Sequence, residues 1–401
     1  MGPGPGASYN SPGLKVLHVY KSYYPDTVGG IEQVIAQLAT ALREFGDESR
    51  VFTLSANPHP RILVRPEAEV RRSRVVLEVA SNPLSISAFA DFRRELGWAD
   101  VVHYQFPWPF ADLMHLACAR GKPSVVSYQS DIVRQKLLLR AYAPLMNRFL
   151  RSVDAVVATS PQYRDSSAVL ARLPDAPRVI PNGIDTASYP RPAEHNLHSW
   201  RERVGEGFFL FVGVLRYYKG LETLLRAAKG FGGNVVIAGS GPEASHLQEH
   251  AAREGLSNVH FAGSVTDEDK MSLMQLSRAF VFPSHLRAEA FGMSLLEAAM
   301  SSRAMICCEI GTGTSYINVD GQTGFVVPPE DPDAVRASMQ RLLDEPALAA
   351  RMGQAARVRL DQMFSAKQMA GAYHDLYLEV TRQSRQAQPT LQEGPLPAAR
   401  H

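Results

Sequence analysis

The stretch AFVFPSHLRAEAFGMSLLEAAM, residues 279–300, joins an apolar strand to a helix through a loop. Residues 279–282 are all apolar and stop at Pro283-Ser284, a pattern typical of the end of a buried strand. Met293–Met300 then reads as a helix that begins directly after Gly292. Repeated strand–loop–helix units of this kind build parallel sheets covered by helices.

The same alternation runs along the chain on both sides of this stretch. Strands are predicted at Leu14–Tyr20, Arg50–Ser55, Val75–Val79, Asp100–Tyr104, Ser124–Tyr128, Ala155–Thr159, Arg178–Ile180, Phe208–Val212, Asn234–Ala238, Val259–Phe261, Ala279–Phe282, Met305–Cys308 and Gly324–Val327. Helices are predicted at Ile31–Phe45, Glu222–Lys229, Pro242–Glu254, Lys270–Leu276, Met293–Met300, Pro332–Asp344 and Ala366–Thr381. We therefore predict an α/β protein of two doubly wound, Rossmann-like domains that face a central cleft, where such folds bind ligands.

The chain length and a proline-rich stretch predict the domain boundaries. The 401 residues exceed the roughly 250–300 that one hydrophobic core supports. A polar, proline-rich stretch opens at Pro181 and runs to about Glu202, and we place the interdomain linker there. The predicted division is a disordered leader at 1–13, a first domain at 14–190, a second domain at 191–365, a helix at about 366–381 that could pack back on the first domain, and a disordered tail at 382–401.

The composition excludes several classes of protein. The formal net charge of +2 does not favour nucleic acid as a partner. Cys118, Cys307 and Cys308 are odd in number and show no CxxC spacing, which argues against a disulfide framework or a zinc site and fits a reducing cytoplasm. No run approaches the roughly 20 apolar residues that span a bilayer. We expect a cytoplasmic protein.

The loop and helix after Phe282 carry residues that suit a charged ligand. Glu289 lies in the loop, where its carboxylate can point into the cleft. Gly292 lets the backbone approach a ligand closely, and the helix start at Met293 offers free N–H groups and a positive dipole end to a phosphate. Glu297, eight residues after Glu289, could accept hydrogen bonds from both hydroxyls of a ribose. These features together predict a nucleotide-sugar site.

These residues resemble the signature of the family 4 glycosyltransferases of the GT-B fold, in which two glutamates are separated by seven residues. Further matches follow the family's order over about residues 14 to 380: Gly29-Gly30-Ile31-Glu32, Pro181-Asn182-Gly183-Ile184-Asp185, Gly213 with Lys219-Gly220, Gly239-Ser240-Gly241-Pro242, and Asp320-Gly321-Gln322-Thr323-Gly324 followed by Pro328. The spacing of two glutamates alone is uninformative, whereas the ordered set is specific. The resemblance implies that the first domain takes the acceptor and the second binds a nucleotide-sugar.

The resemblance also implies a role for each matching residue. Glu289 would bind hydroxyls of the donor sugar, Glu297 would bind the ribose, and Lys219 would neutralise the pyrophosphate. Gly30 would let the N-terminal loop close over the diphosphate, since a Cβ there would obstruct the approach. The implied catalytic set is Glu289, Lys219, Arg216 and Gln129. The implied donor-binding set is Gly29, Gly30, Gly213, Gly241, Ser264, Val265, Phe291, Gly292, Met293, Ser294, Leu295 and Glu297.

Three departures from the family pattern bear on mechanism. Val214 stands where relatives have arginine, and Arg216 could supply the missing guanidinium. Ala290 replaces the glycine after the first glutamate. Gln129 replaces a histidine that contacts the donor sugar near its C6 hydroxyl, and Gln cannot act as a titrating base. This fits the retaining mechanism that the family implies, in which the leaving phosphate assists the acceptor hydroxyl and neither a nucleophile nor a metal cofactor is needed.

The donor and acceptor are predicted from four further stretches. These stretches resemble O-antigen mannosyl- and D-rhamnosyltransferases of lipopolysaccharide biosynthesis. They are Tyr20–Gln33 (YKSYYPDTVGGIEQ), Gln129–Lys136 (QSDIVRQK), Leu215–Gly220 (LRYYKG) and Glu309–Ser315 (EIGTGTS). They imply GDP-mannose or GDP-D-rhamnose as donor and a lipid-linked glycan as acceptor, and Gln129 is compatible with a 6-deoxy sugar. Alternatives are a UDP-sugar-dependent transferase, a sugar-nucleotide epimerase or phosphorylase of the same fold, and a nucleotide-binding protein without activity.

Several sites have two readings from sequence alone. His103 and Asp131 sit at predicted strand ends, where acceptor contact and local capping are equally compatible. Asp267-Glu268-Asp269 resembles a metal-binding Asp-x-Asp motif. Because Thr266 precedes it as a helix N-cap, the pattern instead favours acidic residues in the first turn of a helix, where they complement the helix dipole. Residues 132–151 are basic and apolar, so they suit either peripheral contact with the inner face of the plasma membrane or a core helix with a solvated basic edge.

Overall fold

The computed structural model describes residues 13–79, 82–132 and 136–387, with side chains for all of these except 136–138 and 387. The predicted leader, apart from Gly13, and residues 388–401 of the predicted tail lie outside this description. Within the described ranges, no helix combines the length and apolarity needed to cross a bilayer.

The first sheet is built from the N-terminal part of the chain. Its strands, with the separate hairpin β5–β6, are β1 (Lys15–Val19), β2 (Glu48–Ser55), β3 (Ile62–Val64), β4 (Glu69–Arg74), β5 (Leu77–Val79), β6 (Asn82–Leu84), β7 (Val101–Phe106), β8 (Ser124–Tyr128), β9 (Ala155–Ala158) and β10 (Arg178–Val179). The strand order is β10-β9-β8-β7-β1-β2-β4-β3, and all pairs are parallel except β3 with β4. The helices of this part are α1 (Gly30–Leu42), α2 (Ala88–Trp98), α3 (Pro109–Cys118), α4 (Lys136–Leu150) and α5 (Pro161–Ser166).

The second sheet is wholly parallel, in the order β13-β12-β11-β14-β15-β16. Its strands are β11 (Phe209–Val212), β12 (Val235–Ala238), β13 (Val259–Gly263), β14 (Ala279–Phe282), β15 (Ala304–Cys308) and β16 (Gly324–Val327). The helices around it, with the last helix of the chain, are α6 (Glu194–Val204), α7 (Leu221–Ala228), α8 (Ala244–Arg253), α9 (Asp267–Leu276), α10 (Met293–Met300), α11 (Thr314–Ile317), α12 (Pro332–Asp344), α13 (Pro346–Met363) and α14 (Ala366–Ala387). Every residue of β12, β14 and β15 is buried, as expected of strands with both faces covered.

The chain crosses between the two sheets twice, and the crossings lie side by side. Backbone hydrogen bonds join Ile184 N to Phe364 O and Ala366 N to Ile184 O. Helix α14 then packs on the first sheet, where Met369 and Tyr373 share a buried cluster with Val16. The last helix of the chain thus contributes to the core of the N-terminal part.

The structure corrects the predicted elements in several places. The strand predicted at Val75–Val79 corresponds to β5, which covers only Leu77–Val79 and pairs with β6 outside the main sheet. Strand β4 of the main sheet lies earlier and was not predicted, because the ion pairs of Arg71 with Glu69 and Glu95 hide its strand pattern. The supposed linker up to Glu202 contains α6, which buries Leu197 and Trp200. Helix α13 was not predicted. Helix α14 continues to Ala387, six residues past the predicted end.

Candidate functional site

The loop from Pro283 to Gly292 joins β14 to α10 at the carboxyl edge of the second sheet. Gly292 caps the helix in the left-handed region, with φ of 97°. A Cβ on Gly292 would lie 3.0 Å from Phe282 and 3.1 Å from Leu295, so a larger residue would be strained in both backbone and space. Phe291 and Leu295 are buried in the core, while Met293 and Ser294 open the helix, whose first N–H groups have no acceptor within it.

Helix α1 of the first sheet begins directly opposite α10. A Cβ built on Gly30, the first residue of α1, would lie 3.8 Å from Cγ of Met293, which is ordinary van der Waals contact. The protein itself therefore has room for a larger residue at Gly30. Two helix N-termini from different sheets converge here, and both favour an anion between them.

The loop before α1 is held by Glu32. Its carboxylate accepts hydrogen bonds from Oγ of Ser22, at 2.9 Å, and from Oγ1 of Thr27, at 2.7 Å. Gly29 is in extended conformation, and a Cβ there would lie 2.6 Å from the Glu32 carboxylate. Packing against Glu32 thus explains a glycine at position 29, independently of its predicted role in donor binding.

Lys219 and Glu289 form a buried ion pair. Nζ of Lys219 lies 2.5 Å from Oε2 of Glu289, and both side chains are 11% exposed. Oγ of Ser284 donates to the same carboxylate oxygen, and Nζ lies 4.6 Å from the centroid of the Phe282 ring. A buried charge needs such a partner, because desolvation without one is costly. The two residues for which the sequence predicts separate donor contacts therefore act on one another.

Glu297 lies in α10 with its carboxylate in a second polar cluster. Its Oε1 pairs with Nζ of Lys270 at 2.8 Å and accepts from Nε2 of Gln33 at 3.3 Å. Burial lowers the pKa of Lys270, but Glu297 and Asp267 outweigh it and raise the pKa overall. The Tyr189 hydroxyl also bonds Glu297, and its pKa is raised by burial first and by this carboxylate second. Gln33 comes from the first domain, so the cluster joins the two halves of the cleft.

Gln129 follows β8 and is buried among polar side chains. Its Nε2 donates to Oε1 of Gln105 at 2.9 Å, and its Oε1 accepts from Nδ2 of Asn182 at 3.3 Å. These two contacts set the orientation of the amide. Oδ1 of Asn182 is itself buried without a hydrogen-bond partner within the described structure. Gln129 therefore bonds neighbouring side chains through both ends of its amide, and its predicted contact with the donor sugar stays a prediction.

Arg216 is exposed beyond the end of β11. It lies close enough to the first domain for its charge to act on Lys21: burial lowers the pKa of Lys21, Glu32 opposes the effect, and Arg216 adds to it. The arginine thus faces the cleft. The backbone N–H of Lys219 donates to Arg216 O at 3.0 Å, whereas no hydrogen bond or ion pair joins the Arg216 guanidinium to Lys219 or Glu289 among the described residues. Its predicted substitution for the missing family arginine stays a prediction.

Other residues of the donor-binding set lie at the same strand ends. Gly241 needs its glycine for packing, since a Cβ would lie 2.5 Å from the carbonyl oxygen of Leu215. A Cβ on Gly213 would lie 3.9 Å from Nζ of Lys219. Ser264 and Val265 follow β13, with Ser264 exposed and Val265 half-buried. These positions line the carboxyl edge of the second sheet, where the sequence predicts donor binding.

The prediction that His103 sits at a strand end facing the cleft is wrong. His103 lies inside β7, is fully buried, and bonds Tyr377 of α14 through Nδ1 at 2.7 Å and Ser127 through Nε2 at 2.7 Å. Burial first, and then the neighbouring His18, hold the pKa of His103 well below 6.5. It is a neutral core histidine.

Asp131 does lie at the end of β8, and it bridges the cleft. Its Oδ2 is 2.9 Å from Nη2 and 3.0 Å from Nε of Arg287, which stands in the loop before Glu289. Tyr128 and Ser167 donate to the other carboxylate oxygen. Sequence reasoning did not find Arg287, and the signal that could have found it is its position two residues before Glu289.

The acidic run at Asp267 behaves as a helix start. Oγ1 of Thr266 accepts from the backbone N–H of Asp269, and Asp267 pairs with Lys270 at 2.9 Å. Among the described residues, no group of three or more His, Cys, Asp or Glu side chains is placed to hold a metal ion. The capping role expected of Thr266 is thus observed directly.

Comparison with known proteins agrees with this architecture. The family model for glycosyl transferases group 1 matches residues 194–359, and that for glycosyltransferase family 4 matches residues 28–188. The chain is 53% identical to D-rhamnosyltransferase WbpZ of Pseudomonas aeruginosa, over 88% of this chain and 93% of that protein. It is 46% identical to O-antigen chain mannosyltransferase C of Escherichia coli, over 91% of this chain and 98% of that protein.

A solved structure extends the likeness to the fold. Sucrose-phosphate synthase from Thermosynechococcus elongatus superimposes with a TM-score of 0.77 at 19% identity, over 92% of this chain and 100% of that one. At this identity the likeness shows the fold alone. The chain belongs to the family 4 glycosyltransferases, enzymes of the GT-B fold.

Proposed function

We propose that the chain is a retaining hexosyltransferase that moves mannose or D-rhamnose from a GDP-sugar to a lipid-linked glycan of the O-antigen type. The names of the two relatives, at 53% and 46% identity, support the sugar and the acceptor class. The geometry supports a diphosphate-linked donor. Under this proposal the protein works at the cytoplasmic side of the membrane, without a metal cofactor.

One observation carries the proposal: the N-termini of α1 and α10 converge beside a buried lysine. Gly30 and Met293 mark the two helix ends. Lys219 ends the turn Tyr217–Lys219 that follows the neighbouring strand β11, and its Nζ lies 4.6 Å from the centroid of the Phe282 ring, at the end of β14. A diphosphate between them would receive N–H donors from both domains and a charge from Lys219. Space at Gly30 that the protein does not need is consistent with a ligand there.

The two acidic residues would then divide the donor between them. Glu289, beside Lys219, would face the sugar hydroxyls, and Glu297, in its separate cluster, would face the ribose. Donor binding would exchange the ion pair of Lys219 with Glu289 for contacts of each residue with the ligand, and Lys219 would compensate part of the charge that the diphosphate brings. Catalysis would come from positioning and from stabilising the leaving diphosphate.

The choice between mannose and D-rhamnose rests on Gln129. Both polar atoms of its amide are already bonded, Nε2 to Gln105 and Oε1 to Asn182, so a 6-deoxy sugar, which has no C6 hydroxyl to bond, would lose no contact there. We expect turnover with GDP-D-rhamnose to exceed that with GDP-mannose, and turnover with UDP-glucose to be negligible. A strong preference for GDP-mannose would overturn the 6-deoxy assignment, and a preference for UDP-glucose would overturn the GDP carrier.

The experiment uses the full chain with each donor, with and without EDTA, and with a lipid-linked acceptor. Binding is measured separately as the rise in melting temperature caused by GDP or UDP, because a ligand of the folded state stabilises by mass action. Unchanged turnover with EDTA supports the metal-free proposal. Donor consumption without acceptor would instead indicate an epimerase or a hydrolase. The variant Glu289→Ala should bind GDP and lose transfer; full activity would exclude the proposed site.

A further inference from the structure

A separate cavity lies at the amino edge of the second sheet, at the opposite ends of the strands from the candidate site. Its volume is about 380 Å³, within the roughly 300–1,000 Å³ typical of small-molecule pockets. Residues just before three strands line it: Gly207 precedes β11, Arg278 precedes β14 and Arg303 precedes β15. The four residues of β14 span about 13 Å, so this cavity is distinct from the site around Glu289.

The lining of this cavity is predominantly basic. It contains Arg201, Arg278 and Arg303, and among the described lining residues Glu206 is the one acid. Glu206 pairs with Nε of Arg201. In the part of the chain that the structure describes, no carboxylate forms an ion pair with Arg278 or Arg303, so the cavity has two uncompensated positive charges.

The Arg278 side chain lies at the cavity without an acceptor. Its Nε is buried without a hydrogen-bond partner, and its guanidinium makes no hydrogen bond to another described residue. Its Nη2 lies beside the backbone of Gly207, 3.5 Å from the position that a Cβ would take there. Donors removed from water are normally bonded, because an unpaired one costs free energy. The protein therefore holds this guanidinium at the cavity and supplies no acceptor for it among the described residues.

Arg303 is held in place by backbone carbonyl groups. Its Nε donates to Ser301 O at 2.9 Å, and its Nη1 donates to Ser277 O at 2.8 Å. Burial first, and then the charge of Arg278, lower the pKa of Arg303, so the two guanidinium groups are close enough to repel each other. Like charges held together in a concave surface raise the free energy of the empty protein and attract an anion.

Helix α13 begins at the same cavity. Pro346 and Ala349 of its first turn line the cavity, and the first turn contains no acidic residue. The N-cap residue Glu345 does not cap the helix with its side chain and pairs instead with Arg341. The positive dipole end of this 18-residue helix therefore adds to the two arginines in favouring an anion.

The chemistry of the lining suits a phosphate group. Arginine presents N–H donors in a fixed fork that matches the oxygen atoms of a phosphate. Gln275 and Ser302 line the same cavity and can bond hydroxyl groups, and Leu276 adds apolar surface. A small molecule with a phosphate and several hydroxyl groups, such as a sugar phosphate, fits this combination.

Helix α4 is also basic, but its described surface differs from this cavity. Its apolar residues Met146 and Leu150 are buried against the first sheet, whereas Arg148 is exposed to solvent. The side chains of 133–138 lie outside the described residues. The membrane contact predicted for 132–151 therefore stays a prediction.

We propose that the cavity between Arg278, Arg303 and the start of α13 is a second ligand site, which binds the phosphate group of a small molecule. The site does not depend on the proposed donor or acceptor, because it lies at the other edge of the sheet. Inorganic phosphate and a sugar phosphate share the anionic group that the arginines bind, and the experiment distinguishes them.

The test is titration calorimetry of the full chain with inorganic phosphate and with glucose 6-phosphate, in chloride buffer that contains excess GDP. Under the proposed function GDP occupies the donor site, and Lys219→Met, which alters that site, should keep its affinity for both probes. We expect both to bind the wild type and Arg278→Gln to raise each Kd at least tenfold. The matched control is Arg226→Gln, which changes an exposed arginine of α7 outside the cavity and should bind as the wild type does.

A second variant leaves the arginines intact. Ala350→Glu places a carboxylate at an exposed lining position of α13 and should also raise each Kd at least tenfold. Melting curves in chloride establish that the variants are folded. Arg278→Gln removes no hydrogen bond within the described chain and relieves the repulsion of Arg303, so its melting temperature should not fall.

The relative affinities identify the source of the phosphate group. Tighter binding of glucose 6-phosphate assigns a sugar phosphate to the site, and tighter binding of inorganic phosphate assigns the free ion. Failure of both probes to bind the wild type would overturn the proposal. Wild-type Kd values in Arg278→Gln or Ala350→Glu, or displacement of the probes by GDP, would overturn it as well.

Discussion

Nζ of Lys219 lies 2.5 Å from Oε2 of Glu289, although the two residues are 70 positions apart and come from different loops. Each side chain neutralises the other. Under the proposed function, a donor that binds Lys219 through phosphate and Glu289 through sugar hydroxyls would replace this contact with two new ones. The ion pair would then compensate both buried charges before the donor binds.

We predict that Lys219→Met destabilises the chain by about 3 kcal/mol, because the Glu289 carboxylate is left buried without its cation. The double variant Lys219→Met/Glu289→Gln should regain most of that stability. Both should lose about a hundredfold in kcat, since the charge that stabilises the leaving diphosphate is gone. Denaturant unfolding and steady-state kinetics measure the two effects. A double variant no more stable than the single one would contradict the pairing.

A second prediction concerns Glu297. Replacement by Gln removes the charge that holds Lys270 and weakens the hydrogen bonds proposed for the ribose. We expect KM for the donor to rise about tenfold or more, in line with the roughly 1.5–3 kcal/mol of a hydrogen bond to a charged group. The control is Glu268→Gln, which changes an exposed acid in the first turn of α9. Equal KM values for the two variants would remove Glu297 from the donor site.

The β14–loop–α10 unit could be predicted to the residue, and its physical reasons are local. An apolar run that stops at Pro283 defines the strand. Gly292 marks the start of the helix, since a backbone φ of 97° is sterically favourable only for glycine. Strand β4 escaped prediction because ion pairs from Arg71 and Arg50 to Glu69 satisfy charges that a sequence pattern reads as surface. An element could be predicted from its own residues where its strand or helix does not depend on side chains from another part of the chain.

The misplacement of His103 shows how a small boundary error changes a function. The predicted strand ended at Tyr104, but β7 continues to Phe106, which moves His103 from the strand end to its interior. Side chains alternate along a strand, so position within it decides which layer a residue faces. The partner Tyr377 lies 274 positions away and could not be inferred from the strand itself. The same holds for Arg287 and Asp131, which meet only because the two domains do.

Two glycines at the helix starts should respond differently to alanine. In Gly292→Ala the new Cβ would meet Phe282 at 3.0 Å from a left-handed backbone, so we expect a loss of about 1–2 kcal/mol in stability. In Gly30→Ala the Cβ has ordinary contact with Met293, so the melting temperature should be unchanged while transfer falls at least tenfold. Full activity of a stable Gly30→Ala variant would show that no ligand approaches the N-terminus of α1.

The buried histidines predict how stability depends on pH. Burial lowers the pKa of His18 to about 3 and that of His115 to about 4, the latter with help from Arg120. Between about pH 3 and pH 6.5 the unfolded chain binds a proton at residue 18 that the folded chain does not, so acidification through this window favours unfolding by about 1.4 kcal/mol per pH unit. Burial raises the pKa of Asp112, which acts with the opposite sign, so the total slope does not isolate one histidine.

The difference between His18→Leu and the wild type does isolate it. Leucine keeps the site buried and cannot bind a proton. We therefore expect the pH dependence of the unfolding free energy to be smaller in the variant by the contribution of one proton between about pH 3 and pH 6.5. Denaturant titration at several pH values measures this dependence. The control His59→Gln changes an exposed histidine and should leave the slope as it is. A parallel slope in His18→Leu and the wild type would mean that residue 18 is protonated in the folded chain, and with it that the layer of β1 and β7 beneath α14 admits water.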